Sequence, residues 1–376
     1  MEEMIFWFVK KHHSETLELL KELAAIPAPS GQEEKRAQFV VEWLKKQGAA
    51  GVYRDDAGNV VFPYQCGGDG PIAVIMAHMD VVCPDMNLLT VTEEEDRMTG
   101  PGVRDDTANL VNMLMCIKFL LESQQEVKCG LLFVADTGEE GLGNLKGSRQ
   151  IWEDYRDRIR EWISFDLNYD TIYNRAVGSQ RYRVTVRTTG GHSYKDFGGE
   201  NAIVQLAGML LDLYRAEIPQ SPKVTFNVGE ISGGTSVNTI AQEASILYEF
   251  RSESAQELKK MEQFFESVLE KHRTEGVNVE VEELGIRPGN GEIDESAQKD
   301  LEQRCLQAIQ RYYKGEVRFE PGSTDCNIPL SNGVAAVTIG TALGGGTHTR
   351  QEWVEKKSME TGQMIALKLL CGYRGR

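Results

Sequence analysis

The chain has 376 residues, 41% hydrophobic and 26% charged, with a formal net charge of −16 at pH 7. That length exceeds what one hydrophobic core usually serves, so two domains are expected, and the composition is that of a globular protein without a disordered stretch. The acidic balance argues against nucleic acid or an anionic membrane surface as partner, and no apolar run approaches a bilayer span.

Residues 14–48 read as a helix, a turn at Pro27-Ala28-Pro29-Ser30-Gly31, and a second helix. Ser30 with Glu33 three residues on has the form of a capping box for that second helix. Residues 52–65 alternate toward a hairpin around Asp56–Asn59. From 72 to 166 the pattern runs strand, loop, helix, strand, loop, helix, strand, which predicts a mostly parallel sheet with helices on its faces. The character changes near Val177. Strands are expected at 181–188, 224–228, 244–251 and 277–283, with helices at 202–214 and 257–271, a βαββαβ order that fits a small antiparallel sheet carrying two helices on one face. From 289 the α/β pattern resumes with helix 294–313, strand 334–339 and a final helix after His348. The expected fold is therefore α/β. Residues 1–176 and 289–376 form a discontinuous catalytic domain around a mixed, mostly parallel sheet flanked by helices, and residues 177–288 form an inserted α+β domain.

Acidic and histidine residues follow the strands in a fixed order. The run Ile72–Ala77 leads into His78-Met79-Asp80. The turn Gly100-Pro101-Gly102-Val103-Arg104 delivers Asp105-Asp106. Leu131–Ala135 leads into Asp136-Thr137-Gly138-Glu139-Glu140-Gly141. Ser164-Phe165 ends on Asp166, with Asp170 a nearby competitor, and a glycine-rich loop carries His348. Open α/β sheets place chemistry at the carboxyl ends of their strands. Taken singly, each motif has a plain structural alternative: a satisfied histidine, a helix cap from Asp106 or Thr107, a solvated acidic turn, a loop histidine. Together they supply every role a two-metal hydrolytic centre needs: a shared carboxylate, terminal ligands and a separate base. Adjacent carboxylates such as Glu139 and Glu140 repel unless a cation or a proton lies between them. The seven scattered cysteines contain no CxxC pair and give neither a disulfide framework nor a thiolate metal site. With no signal-peptide pattern around Ile5–Val9, a reduced cytoplasm is expected.

This order of residues, extended by Gly191-His192, resembles the co-catalytic zinc exopeptidases and amidohydrolases, a group that includes glutamate carboxypeptidase, aminoacylase, succinyl-diaminopimelate desuccinylase and the tripeptidase T type. The resemblance implies two divalent metals, zinc first with cobalt or manganese as alternatives. Asp105 would bridge them, His78 and Asp166 would complete one site, and Glu140 and His348 the other. It further implies that Glu139 is the general base, that Asp80 supports His78, and that the Asp105–Asp106 peptide is cis. In the inserted domain it gives His192 the role of stabilising the oxyanion across a homodimer, and Asn238, Arg251 and Arg287 that of holding a substrate carboxylate. The inserted domain would then serve as lid and dimerisation module. One position departs from the pattern: Thr107 stands where the family commonly has lysine.

The expected activity is metal-dependent hydrolysis of an amide bond next to a free carboxylate in a small peptide or N-acyl amino acid. An aminopeptidase or tripeptidase that selects a free amine is the alternative from the same chemistry. A non-catalytic metal-binding protein would have lost Glu139 or a ligand, and neither is lost. A nucleotide-binding reading would need a phosphate loop after its first strand, whereas Gly67-Gly68-Asp69-Gly70 precedes the strand.

Overall fold

Ile5, Phe8, Val9, Leu19, Leu20 and Leu23 recur at helical spacing, and in the computed structural model, which describes residues 1–374, they are the buried stripe of α1 (Glu2–Ala25). The helix starts at Glu2 rather than near residue 14 because Ile5, Phe8 and Val9 extend the same stripe. Helix α2 (Glu34–Lys46) follows a short junction. The expected capping box does not form: Glu33 itself precedes α2 with helical backbone angles and makes no side-chain cap bond.

The chain then forms β1 (Tyr53–Arg54), β2 (Val60–Tyr64), β3 (Ile72–His78), α3 (Asn109–Ser123), β4 (Gly130–Asp136), α4 (Lys146–Tyr155), β5 (Ile159–Phe165) and β6 (Thr171–Ala176). Next come β7 (Gly178–Arg187), α5 (Ala202–Leu213), β8 (Val224–Gly233), β9 (Glu243–Ser252), α6 (Ala255–Thr274) and β10 (Asn278–Arg287). The last elements are α7 (Glu295–Tyr312), β11 (Arg318–Gly322), α8 (Asn327–Ser331), β12 (Ala335–Ile339) and α9 (Lys356–Leu370).

These elements make two units, Met1–Ala176 with Gly291–Arg376, and Val177–Asn290. In the first, the described residues form an eight-stranded sheet of order β1-β2-β4-β3-β5-β12-β6-β11. Strands β4, β3, β5 and β12 run parallel to one another at its centre. A strand covered on both faces needs apolar residues at every position, which is why β3 reads as an unbroken run. Ala73, Ile75 and Ala77 enter the core shared with α1, α3 and α9, while Ile72, Val74 and Met76 pack on the opposite face with Trp162. Register brings the functional strand ends level: His78 lies opposite Asp136, and Met76 opposite Ser164, two residues before Asp166.

The second unit is the βαββαβ module, an antiparallel sheet of order β8-β9-β7-β10. Alternate residues Val184, Val186, Ile246 and Phe250 point into a core with Leu206 and Met209 of α5 and Phe265 of α6. Tyr182 stacks on Phe265 with ring centroids 4.6 Å apart. No helix among the described residues is long and apolar enough to cross a membrane.

Candidate metal centre

His78 ends β3 in full burial. Its Nδ1 lies 3.0 Å from the backbone oxygen of Asp80 and 3.4 Å from the Asp80 carboxylate. A carbonyl oxygen only accepts, so Nδ1 carries a proton and Nε2 is the atom left to face Asp105 Oδ1, at 3.1 Å. Burial works against the charged ring, but Asp106, Asp105 and Asp80 outweigh it and hold His78 well above the usual imidazole range.

Asp105 arrives through Gly102, whose φ of 66° is left-handed and where a Cβ would run into Val81. The Asp105–Asp106 peptide is cis, within a π-helical turn at Val103–Ala108. Asp106 faces the sheet, accepting from His78 N at 3.0 Å and Asn109 Nδ2 at 2.7 Å. It does not cap α3, and neither does Thr107, whose hydroxyl donates to Gly102 O. Asp105 is thereby left to the site, as are the buried Glu139, Glu140 and Asp166.

The ligand-type atoms converge on two neighbouring points. His78, Asp105 and Asp166 place one such atom each within 4.8 Å of one another, and so do Asp105, Glu140 and His348. Asp105 belongs to both groups. His348 Nε2 is 2.9 Å from Glu140 Oε1 and 3.7 Å from Asp105 Oδ2. His78, Glu139 and Glu140 form a third such group. Asp170 is not among them; it lies 3.7 Å from Arg318.

These donors fit divalent cations. Asp166 Oδ1 is buried with no hydrogen-bond partner, and burial, then the Asp105 charge, push its carboxyl up to about 7. A carboxylate crowded against another and left unpaired is stabilised by a cation between them. Imidazole nitrogen with carboxylate oxygen suits zinc, and the same donors also serve manganese or cobalt.

A supporting layer surrounds these groups, and of its members the sequence reading assigns a role at the site to Asp80 alone. Asp80 accepts the backbone amides of Glu139 at 3.0 Å and Glu140 at 2.8 Å, and the Ser30 hydroxyl at 2.6 Å. Glu352, buried, takes the amides of Arg104, Asp105 and His348 on its two oxygens at 2.9, 2.8 and 3.2 Å. Arg104 lies buried with Nη2 3.3 Å from Asp105 Oδ2. Arg36, fully buried, donates to Met79 O at 2.7 Å and is lowered to about 10 by burial.

Within the second unit the expected residues fall into two pairs. His192 and Asn238 share one end, where Ser193 N donates to Asn238 O at 3.0 Å beside an open groove of about 1030 Å³. The amide of Tyr194 points at His192 Nδ1 from 3.2 Å, and an amide only donates, so the neutral ring carries its proton on Nε2. Arg251 and Arg287 both pair with Ser179 from opposite sides of β7. Arg287 is buried, and Arg251 is bonded to Glu249 at 3.0 and 2.9 Å. From Ser179 to Arg187, the strand end nearest His192, is roughly 25 Å at strand rise.

A sequence model of peptidase family M20/M25/M40 matches residues 74–371. The succinyl-diaminopimelate desuccinylase of Bordetella petrii is 25% identical over 297 residues, 73% of this chain and 77% of that protein. Among solved structures, a tripeptidase from Staphylococcus aureus subsp. aureus Mu50 has a TM-score of 0.76 at 22% identity, covering 95% of this chain and 97% of that one. A dinuclear metal-binding peptidase of the M20 family from Bacillus subtilis has a TM-score of 0.64 at 15% identity, covering 96% and 98%. The two structural likenesses establish the shared fold, and the sequence match spans every clustered carboxylate and histidine described above. The chain belongs to peptidase family M20/M25/M40 and is a metal-dependent hydrolase of the peptidase and amidohydrolase kind.

Proposed function

We propose that the protein is a two-zinc exopeptidase or amidohydrolase that cleaves an amide next to a free carboxylate in a small peptide or N-acyl amino acid. The observation that carries this reading is the pair of donor groups sharing Asp105, with Glu139 beside them. Asp105 would be the common ligand, with His78 and Asp166 on one metal and Glu140 and His348 on the other. When bound, the two cations polarise the amide carbonyl and make the attacking water more acidic. Glu139 takes the proton of that water and passes it to the leaving amine nitrogen. Asp80 keeps the ring proton of His78 on Nδ1 and so presents Nε2. His192 offers its Nε2 proton to the oxyanion of the tetrahedral intermediate.

The opposite placement of His192 and Arg287 supports a homodimer. An extended dipeptide spans about 7 Å, far less than the length of β7, so one substrate does not reach both ends of a single inserted unit. Two copies, each lending His192 to a substrate held by the other's Arg287, remove the mismatch. Exposed Val204 and Leu211 on α5 and Ile231 on β8 supply apolar surface for such contact.

Arg287 is the group proposed to hold the substrate carboxylate, by a charge-assisted fork. Arg251 is paired with Glu249, and this observation favours the second reading, selection of a free amine. Comparison of N-acyl amino acids with their C-terminal amides decides between the two. The wild type should prefer the acid by at least about tenfold in kcat/KM, the worth of one charge-assisted bond, and Arg287→Ala should lose most of that preference. Equal cleavage of acid and amide by both proteins excludes the carboxylate reading and leaves the aminopeptidase one.

A further inference from the structure

We propose that Ser30 and Glu33, at the junction between α1 and α2, are positioning residues for the hydrolytic reaction, holding the loop that carries Glu139 in register with Asp80. This inference rests on the reading of Glu139 as the base. Three successive backbone amides of that loop end on buried carboxylates. Glu33 Oε1 takes Gly138 N at 3.1 Å, and Asp80 takes Glu139 N and Glu140 N. The Ser30 hydroxyl donates to Asp80 Oδ2 at 2.6 Å, with Glu140 O a longer alternative at 3.2 Å, and so ties the junction to Asp80. Glu33 Oε1 also takes Gly31 N at 2.7 Å, which ties the junction to itself.

The rest of the junction is fastened to the same place. Val81 N donates to Ala28 O at 2.9 Å, and Arg36 spans from Ile26 O at 3.1 Å to Met79 O at 2.7 Å. Ser30 and Glu33 have the spacing of a capping box, yet neither caps α2; Ser30 is bonded to Asp80, and Glu33 to Gly31 and the base loop. A buried glutamate beside Asp80 is unfavourable on burial and charge grounds alone, and its carboxyl is accordingly pushed up. The amide of Gly31, and with it that of Gly138, works against that rise. The junction lies ahead of residue 74, where the match to the family's sequence model begins.

Glu139 and Glu140 are adjacent acids on one loop, and a base displaced by a fraction of an ångström loses turnover before it loses substrate affinity. The test measures kcat, KM, thermal midpoint and bound metal for zinc-saturated wild type, Glu139→Gln, Glu33→Ala, Glu33→Gln, Ser30→Ala and Val40→Ala. The substrate is the fastest from a panel of dipeptides, tripeptides and N-acyl amino acids. Val40 is buried in α2 away from the junction bonds and serves as a control for lost stability alone. Glu33→Ala should lower kcat about tenfold or more, with KM within about threefold and two metals retained. Glu33→Gln, whose amide oxygen still accepts both N–H groups, should recover most of kcat. Ser30→Ala should lower kcat by about threefold or more, which decides the matter even if Glu33→Ala does not fold. Val40→Ala should lose thermal stability and keep kcat. Wild-type kcat in Ser30→Ala and Glu33→Ala per folded, metal-loaded chain, with Glu139→Gln inactive, overturns the proposal. A fully active Glu139→Gln overturns instead the reading on which it rests.

Discussion

Asp166 and His78 hold protons in the metal-free protein that a cation must displace. The Asp166 carboxyl, raised to about 7, keeps a proton that the unfolded chain releases from about pH 4 upward. The native state therefore binds the extra proton between those limits, and metal-free stability falls as pH rises through them. His78 is raised as well, so its stabilising contribution is complete below the unfolded value and is lost as pH rises through the folded one. Both groups make the metal-free protein weaker at pH 8 than at pH 6, while a cation competes with fewer protons at pH 8. The fall in thermal midpoint on removing metal with a chelator should thus be larger at pH 8 than at pH 6, by about 3 °C or more. An equal or larger fall at pH 6 would mean that neither proton competes with the metal.

Legibility of the elements follows the range of the interaction that fixes each one. Strands β3, β4 and β5 are readable because a parallel strand buried on both faces needs an unbroken apolar run, and the residue that leaves such a run sits at the sheet's carboxyl edge. That logic places His78, Glu139, Glu140 and Asp166 before any coordinate is seen, and the βαββαβ order of the second unit is read in the same way from alternation. What fails is local inference where a distant partner wins. Ser30 and Glu33 look like a capping box, but their partners Asp80 and Gly138 lie 50 and 105 residues away. Glu352 is invisible for the same reason, since the amides of Arg104 and Asp105 it accepts are 248 and 247 residues back. The Asp105-Asp106 pair is half readable: a cap for α3 is a fair local guess, and the His78 amide outcompetes it. Arg251 is the opposite case, for Glu249 two residues earlier sits on the same strand face and the pairing is in the sequence to be read.

At the scale of the whole molecule, the chain joins a metal-dependent hydrolase unit to an inserted βαββαβ module whose candidate groups lie at its two ends. If His192 serves a partner copy, chains inactivated separately complement each other. Mixing His192→Ala with Glu139→Ala should restore up to about a quarter of wild-type activity, because half of randomly paired symmetric dimers are hybrids and each regains one of two sites. No recovery, or a fully active monomer, rules out the shared site. The claim beneath all of this is that Asp105 belongs to two metal sites at once. Elemental analysis of zinc-saturated wild type and Asp105→Asn tests it most directly, at matched free zinc. Two zinc ions per wild-type chain, with both weakened together in Asp105→Asn, is the predicted result; one ion or none in the wild type, or the loss of a single ion in the variant, would contradict it.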